Sequence, residues 1–175
     1  MTRTTSTLAL LVMTTIALSC AAPEPPPPPE PTRIENAELG VILGGLPDSL
    51  AVAVNEGATL ELAPADELTE GSLTFEVGPQ QIGVNLVAAV QEHQAGIEAM
   101  PEGQYQGAQE LSADFGVAFY SRGRFVADGA ATEETIVVLI HPTGDRMLTL
   151  RYRYPAANDS AARVEELIEV LSYLE

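Results

Sequence analysis

The chain has no lysine and no tryptophan, one cysteine in 175 residues, and two histidines. Each shortage removes some chemistry. Without lysine there is no Schiff-base site and no amine nucleophile. A lone cysteine cannot close an intramolecular disulfide, and it cannot build a Cys-based metal centre. All eight basic residues are arginine, against 25 acids, for a formal net charge of −17. Neutralising phosphates takes basic clusters, so nucleic acid is excluded as a partner. Direct docking on anionic head groups is disfavoured for the same reason. The hydrophobic fraction of 46% is ample for a core, and the length suits one ordinary domain.

The N-terminus carries one positive charge, Arg3, and no acid; an uncharged apolar run follows from Leu8 to Leu18. That run spans about 16 Å as a helix, too short for a hydrocarbon core of ~30 Å. Its length and basic flank are those of a signal-peptide h-region. The run ends in Ala17-Leu18-Ser19-Cys20, which resembles a bacterial lipobox. The resemblance implies that the Cys20 thiol is acylated and becomes the new N-terminus after cleavage. More than one acyl chain on a cysteine gives stable anchoring. The alternatives are an ordinary secretory signal and an uncleaved anchor. Ala21 is not the aspartate that retains some lipoproteins at the inner membrane, so the outer membrane is favoured if the cell has one.

Ala21–Thr32 is dominated by proline. Proline fixes φ and has no N–H, so this stretch reads as polyproline II rather than helix or sheet. Its twelve residues reach about 37 Å at ~3.1 Å each. The expected organisation is a signal peptide over 1–19, an acylated cysteine and proline-rich linker over 20–33, and one globular domain over 34–175.

Within the domain, the stretch from Leu39 to Leu62 reads as strand, turn, strand, turn, strand, with breaks at Gly44–Asp48 and Asn55–Gly57. Leu73, Phe75 and Val77 alternate with Thr74 and Glu76 as in a half-buried strand. The period then becomes helical: Leu86, Val90, His93, Ile97 and Met100 share a face, Asn85 suits an N-cap, and Pro101 stops the helix. Three strands follow. Val117–Val126 puts Val117, Phe119 and Phe125 on one face and Tyr120, Arg122 and Arg124 on the other. Thr135–His141 is apolar on both faces and reads as central. Arg146–Tyr154 alternates again, with Arg151 and Arg153 on one face. A turn at Thr143-Gly144 predicts that Glu134 pairs with Arg153 and Val137 with Leu150. A last helix, capped by Asp159 or Ser160, has an apolar stripe of Val164, Leu167, Ile168, Leu171 and Leu174, with Glu165, Glu166 and Glu169 facing water. The fold class is α+β: a mainly antiparallel sheet packed with a middle helix and a C-terminal helix.

The segment "TIVVLIHPTGDRMLTLRYRYPAANDSAARVEELIEVLSYL" is a hairpin, a return strand ending in aromatic-Arg-aromatic-Pro, and a helix after a small polar cap. In this order of elements it resembles PsbP-like and Mog1-like domains. The resemblance implies a scaffold or accessory role, not an enzyme.

Catalytic patterns are missing from the sequence. There is no G-x-S-x-G elbow, and the serines (Ser72, Ser112, Ser121, Ser160) have no flagged partner. His93 reads as a partly buried, hydrogen-bonded core residue, and "QEHQ" lacks the second histidine of a zincin helix. His141 reads as a turn residue. No cofactor and no metal site is expected; two histidines and acids would hold zinc only if the fold brought them together.

Charge is uneven. Residues 33–121 hold one arginine against fourteen acids, and residues 122–175 hold six against nine. Arg122 and Arg124 are two apart on one strand, as are Arg151 and Arg153 on another. If both pairs point to one sheet face, four guanidiniums gather beside Tyr120. Such a face would hold a carboxylate, a phosphate or an acidic partner; the competing reading is that Glu133, Glu134 and other acids neutralise it. The functional expectation is a lipid-anchored cell-envelope protein with a non-catalytic binding or scaffolding domain. Its expected partners are the membrane, through the anchor, and another envelope protein or an anionic ligand. The alternatives are a carrier or sensor of an anionic small molecule and a small envelope hydrolase.

Overall fold

Among the described residues, nine strands and two helices follow in order: β1 (Ile34–Asn36), β2 (Val41–Leu43), β3 (Leu50–Glu56), β4 (Thr59–Pro64), β5 (Ser72–Val77), α1 (Leu86–Ala99), β6 (Gln104–Ala113), β7 (Gly116–Ala127), β8 (Ala130–Ile140), β9 (Met147–Pro155) and α2 (Ser160–Ser172). They are seen in a computed structural model that describes residues 33–66, 69–113, 116–157 and 160–175. The expected signal peptide, Cys20, the proline-rich linker before Arg33 and the expected cap residue Asp159 lie outside the described residues. No described helix is long and apolar enough to cross a membrane.

Strands β3 to β9 form one antiparallel sheet in the order β3-β4-β5-β9-β8-β7-β6. β1 and β2 form a separate hairpin. The β8–β9 register is the expected one: Glu134 opposes Arg153 and Val137 opposes Leu150. β7 turns into β8 through Asp128 and Gly129, both at positive φ (50° and 81°), the two-residue turn whose twist matches a hairpin.

Alternation sends each strand's side chains to two different places. One face carries Leu73, Phe75, Leu148, Leu150, Tyr152, Tyr154, Val137 and Leu139 into the main core. α2 covers that face with Leu167, Val170 and Leu171, and the β1–β2 hairpin adds Ile34, Leu39, Val41 and Leu43. The chain's end completes this layer: the Glu175 N–H donates to the Ile42 carbonyl at 3.0 Å, and Arg33 pairs with the Glu175 carboxylate at 3.0 Å. α1 packs on the opposite face, over β7, β6 and β8. There Leu86, Ile136 and Val138 form a second, smaller core.

α1 starts where its sequence says it should. The Asn85 side chain accepts from the Ala88 N–H at 3.1 Å, satisfying a donor that has no partner within the helix. Close approach to β7 depends on Gly123: a Cβ there would lie 2.6 Å from two Ile97 side-chain carbons. The glycine is the notch into which Ile97 fits.

Three expectations need correction, and two strands were not expected. Glu166 does not face water; it is buried and accepts from the Tyr152 hydroxyl at 3.0 Å and from Arg163 at 2.7 Å. Ile168 is not part of the buried stripe; it is exposed, and Val170 takes its place. Both follow from the rotation of α2, which presents the 163–166–167–170 side to the sheet. Met100 is exposed because it is the C-cap of α1 and has left the helical face. β1 and β6 were not anticipated: β1 is only three residues long, and β6, "QYQGAQELSA", is an edge strand with little core to signal it.

Candidate functional site

The expected four-arginine surface does not form. Arg122 lies in register with Thr135 and Tyr152, on the α2 side of the sheet. Arg151 lies in register with Ile136 and Ser121, on the α1 side. An odd offset between strand positions puts side chains on opposite faces, so the two pairs are separated by the sheet. Tyr120 stays with Arg122; burial raises its hydroxyl pKa, and the Arg122 guanidinium works against this. Arg124 is exposed and has no ion pair among the described residues.

Arg151 and Arg153 do meet other polar groups, with Glu134 at the centre. Glu134 comes from β8, and its side chain is only 4% exposed. It takes Arg151 Nη1 on Oε1 at 2.7 Å and Arg153 Nε on Oε2. Arg151 reaches across to β5, where its Nε donates to Glu76 Oε1 at 2.9 Å. From α1, His93 Nε2 comes within 3.2 Å of Glu134 Oε1. Burial alone would raise the Glu134 pKa, but the contacts from His93 and Arg153 and the charges of both arginines outweigh it, and the pKa falls to about 2. This is a charged carboxylate held in place by cations.

The polar chain continues between α1 and the sheet. His93 Nδ1 is 2.8 Å from Ser121 Oγ, and Ser121 Oγ donates to the Tyr105 hydroxyl at 3.2 Å. Serine, histidine and glutamate are therefore brought together, which no sequence motif indicated. Their arrangement is not that of an acyl-transfer site. Ser121 is fully buried, so no substrate carbonyl can reach its Oγ, and a nucleophile needs that access. The other histidine is elsewhere: the buried His141 ring meets the Leu39 carbonyl and the Thr143 hydroxyl, each at 3.0 Å, and holds the β8–β9 turn. Among the described residues no group of three His, Cys, Asp or Glu is placed to hold a metal ion.

Beside the Glu134 cluster is a cleft of about 340 Å³, at the small end for a ligand site. One wall is α1, through Ala89, Glu92, His93, Gly96 and Met100; the other is β9, through Met147, Thr149, Arg151 and Arg153, with Glu134, Ile136 and Val138 as the floor. Past this cleft α1 leaves the sheet uncovered. The same face of β5 and β4 shows Ser72, Thr74, Glu76 and Glu61, all half-buried or exposed. A sequence signal for the cleft did exist, in the Arg-x-Arg of β9 opposite a glycine-containing helix, but only the register reveals that they face each other.

No protein-family model matches the chain, and no curated protein sequence matches it. Solved structures do resemble it. A point mutant of the protein Mog1 superposes with a TM-score of 0.58 at 11% identity, covering 82% of this chain and 94% of that one. LpqN of Mycobacterium tuberculosis, described as involved in cell envelope biogenesis, superposes with a TM-score of 0.50 at 12% identity, covering 76% of each chain. At such identities the likeness is one of fold: the domain has the architecture shared by Mog1 and LpqN, as the order of its C-terminal elements implied.

Proposed function

We propose that this protein is tethered to a bacterial cell envelope through an acylated Cys20, and that its α+β domain works by binding rather than by catalysis. The observation that carries the binding reading is the half-covered sheet: α1 shields β6–β8 and stops, leaving a cleft and a polar surface built from β9, β5 and β4. Support for the envelope comes from the basic flank, the short apolar run, Cys20 and the proline stretch, and from the role in cell envelope biogenesis given for the structural neighbour LpqN. The buried Ser121 favours binding over hydrolysis. A second reading, a carrier or sensor of a charged small molecule, is favoured by Arg151 and Arg153 lining that cleft.

Two experiments test the proposal. Intact mass and membrane partition are measured for wild type beside Cys20→Ala. A mature N-terminus at Cys20 carrying acyl mass, lost in the variant together with membrane association, supports the tether; an unmodified soluble product cut elsewhere refutes it. For the domain, cross-linking in cells is compared among wild type, Arg151→Glu and Arg124→Glu. Loss of the cross-linked species only with Arg151→Glu, in a variant that keeps its circular dichroism, supports the cleft side as the binding face.

A further inference from the structure

The cleft between α1 and β9 contains charges that the fold leaves unused. Arg153 spends its Nε on Glu134, and its two Nη groups have no partner among the described residues. Arg153 is about half exposed and lines this cleft as well as a shallow depression beside Ser72 and Tyr154, so the free edge of its guanidinium is accessible. Glu92, on the α1 wall, is exposed and has no partner among the described residues. The unspent groups are one cation and one anion. His93 is not among them: its buried ring lines the cleft with Nε2 3.2 Å from Glu134 Oε1 and Nδ1 2.8 Å from Ser121 Oγ.

Register gives the spacing. Ile97 packs on Gly123, which lies in the row of Glu134 and Arg153. Gly96 therefore stands opposite Arg153, and a Cβ there would meet nothing within 4 Å. His93 touches Ser121, in the row of Ile136 and Arg151, so Glu92 stands near Arg151. Glu92 and Gly96 are one helical turn apart, about 6 Å. A complementary ligand carries a negative group and a positive group at about that separation, which exceeds a single α-amino acid and suits two extended residues at ~3.5 Å each. A plain anion fits less well, because the chain's net charge of −17 repels it and Glu92 stays unmatched. Met100 and Met147 on the walls, over Ile136 and Val138, offer apolar, adaptable contacts to a side chain.

We infer that the α1–β9 cleft binds a short zwitterionic peptide, its carboxylate on the Arg153 guanidinium and its ammonium toward Glu92. The inference rests on the binding reading of the domain and is independent of the tether.

The test is calorimetric titration of the full chain with the dipeptide alanyl-leucine, its N-acetyl form and its C-terminal amide. The dipeptide binds saturably, and each capped form binds at least tenfold more weakly. Glu92→Gln, an exposed change that spares the fold, weakens the free dipeptide tenfold and leaves the N-acetyl form unchanged. Gly96→Leu fills the cleft and abolishes binding while the circular dichroism is retained. Equal binding of free and capped peptides, or a Glu92→Gln variant that binds the free dipeptide like wild type, overturns the inference. A flat wild-type titration beside intact Arg151-dependent cross-linking overturns the peptide and spares the binding reading; loss of both overturns both.

Discussion

Replacing Glu134 with glutamine removes one charge from the buried cluster and keeps the shape. The native carboxylate has its pKa lowered from 4.5 to about 2, so folding favours its ionised form. At about 1.4 kcal/mol per tenfold change in proton affinity, that shift amounts to about 3 kcal/mol. A carboxyl group whose pKa is lower when folded contributes above its unfolded pKa, and loses the contribution as the pH falls toward the folded one. The stability gap between wild type and Glu134→Gln is thus about 3 kcal/mol at pH 7, begins to close near pH 5, and is under about 1 kcal/mol at pH 2. Urea denaturation of both proteins at pH 7, 5, 4 and 3 measures it. Taking the difference cancels the other acids, whose titration is common to both chains. Two identical pH profiles, or a gap that does not narrow with acid, would refute the reasoning: Arg151, Arg153 and His93 would then not be holding a charged Glu134.

Two further changes probe how α1 is seated. Gly123→Ala drives a methyl group into Ile97 and costs about 1–3 kcal/mol, the usual penalty of overpacking; an unchanged urea midpoint would show that α1 does not press into that notch. Asn85→Ala removes the helix cap and costs about 1 kcal/mol, read as a lower thermal midpoint with the secondary structure retained; no change would mean that the Ala88 N–H finds water at no loss.

Some of this architecture was legible in the sequence and some was not, for physical reasons. The β8–β9 hairpin was legible to the residue, because a short polar turn and strict alternation leave one register that buries Leu148 and Leu150. α1 was legible from its cap and its 3.6-residue period. β6 was hidden because an edge strand has few partners to bury, so its sequence need not be apolar. Glu166 was misread because a helix pattern counts hydrophobic positions and ignores a buried tyrosine hydroxyl that needs a partner; Tyr152, its own pKa pushed up to about 12 by burial, supplies that need. The arginine pairs showed the same limit on a larger scale. Each strand fixes its own alternation, but which faces coincide depends on pairing between strands, and that placed Arg122 and Arg151 on opposite sides.

The seating of the domain's two ends has a consequence for access. The chain enters at Ile34 and finishes at Glu175, and Arg33 and Glu175 touch. Both ends lie in the α2 layer, while the α1 cleft opens on the far side of the seven-stranded sheet. A tag joined after Glu175 would therefore leave from the α2 face of the sheet, on the side away from Arg153 and Glu92.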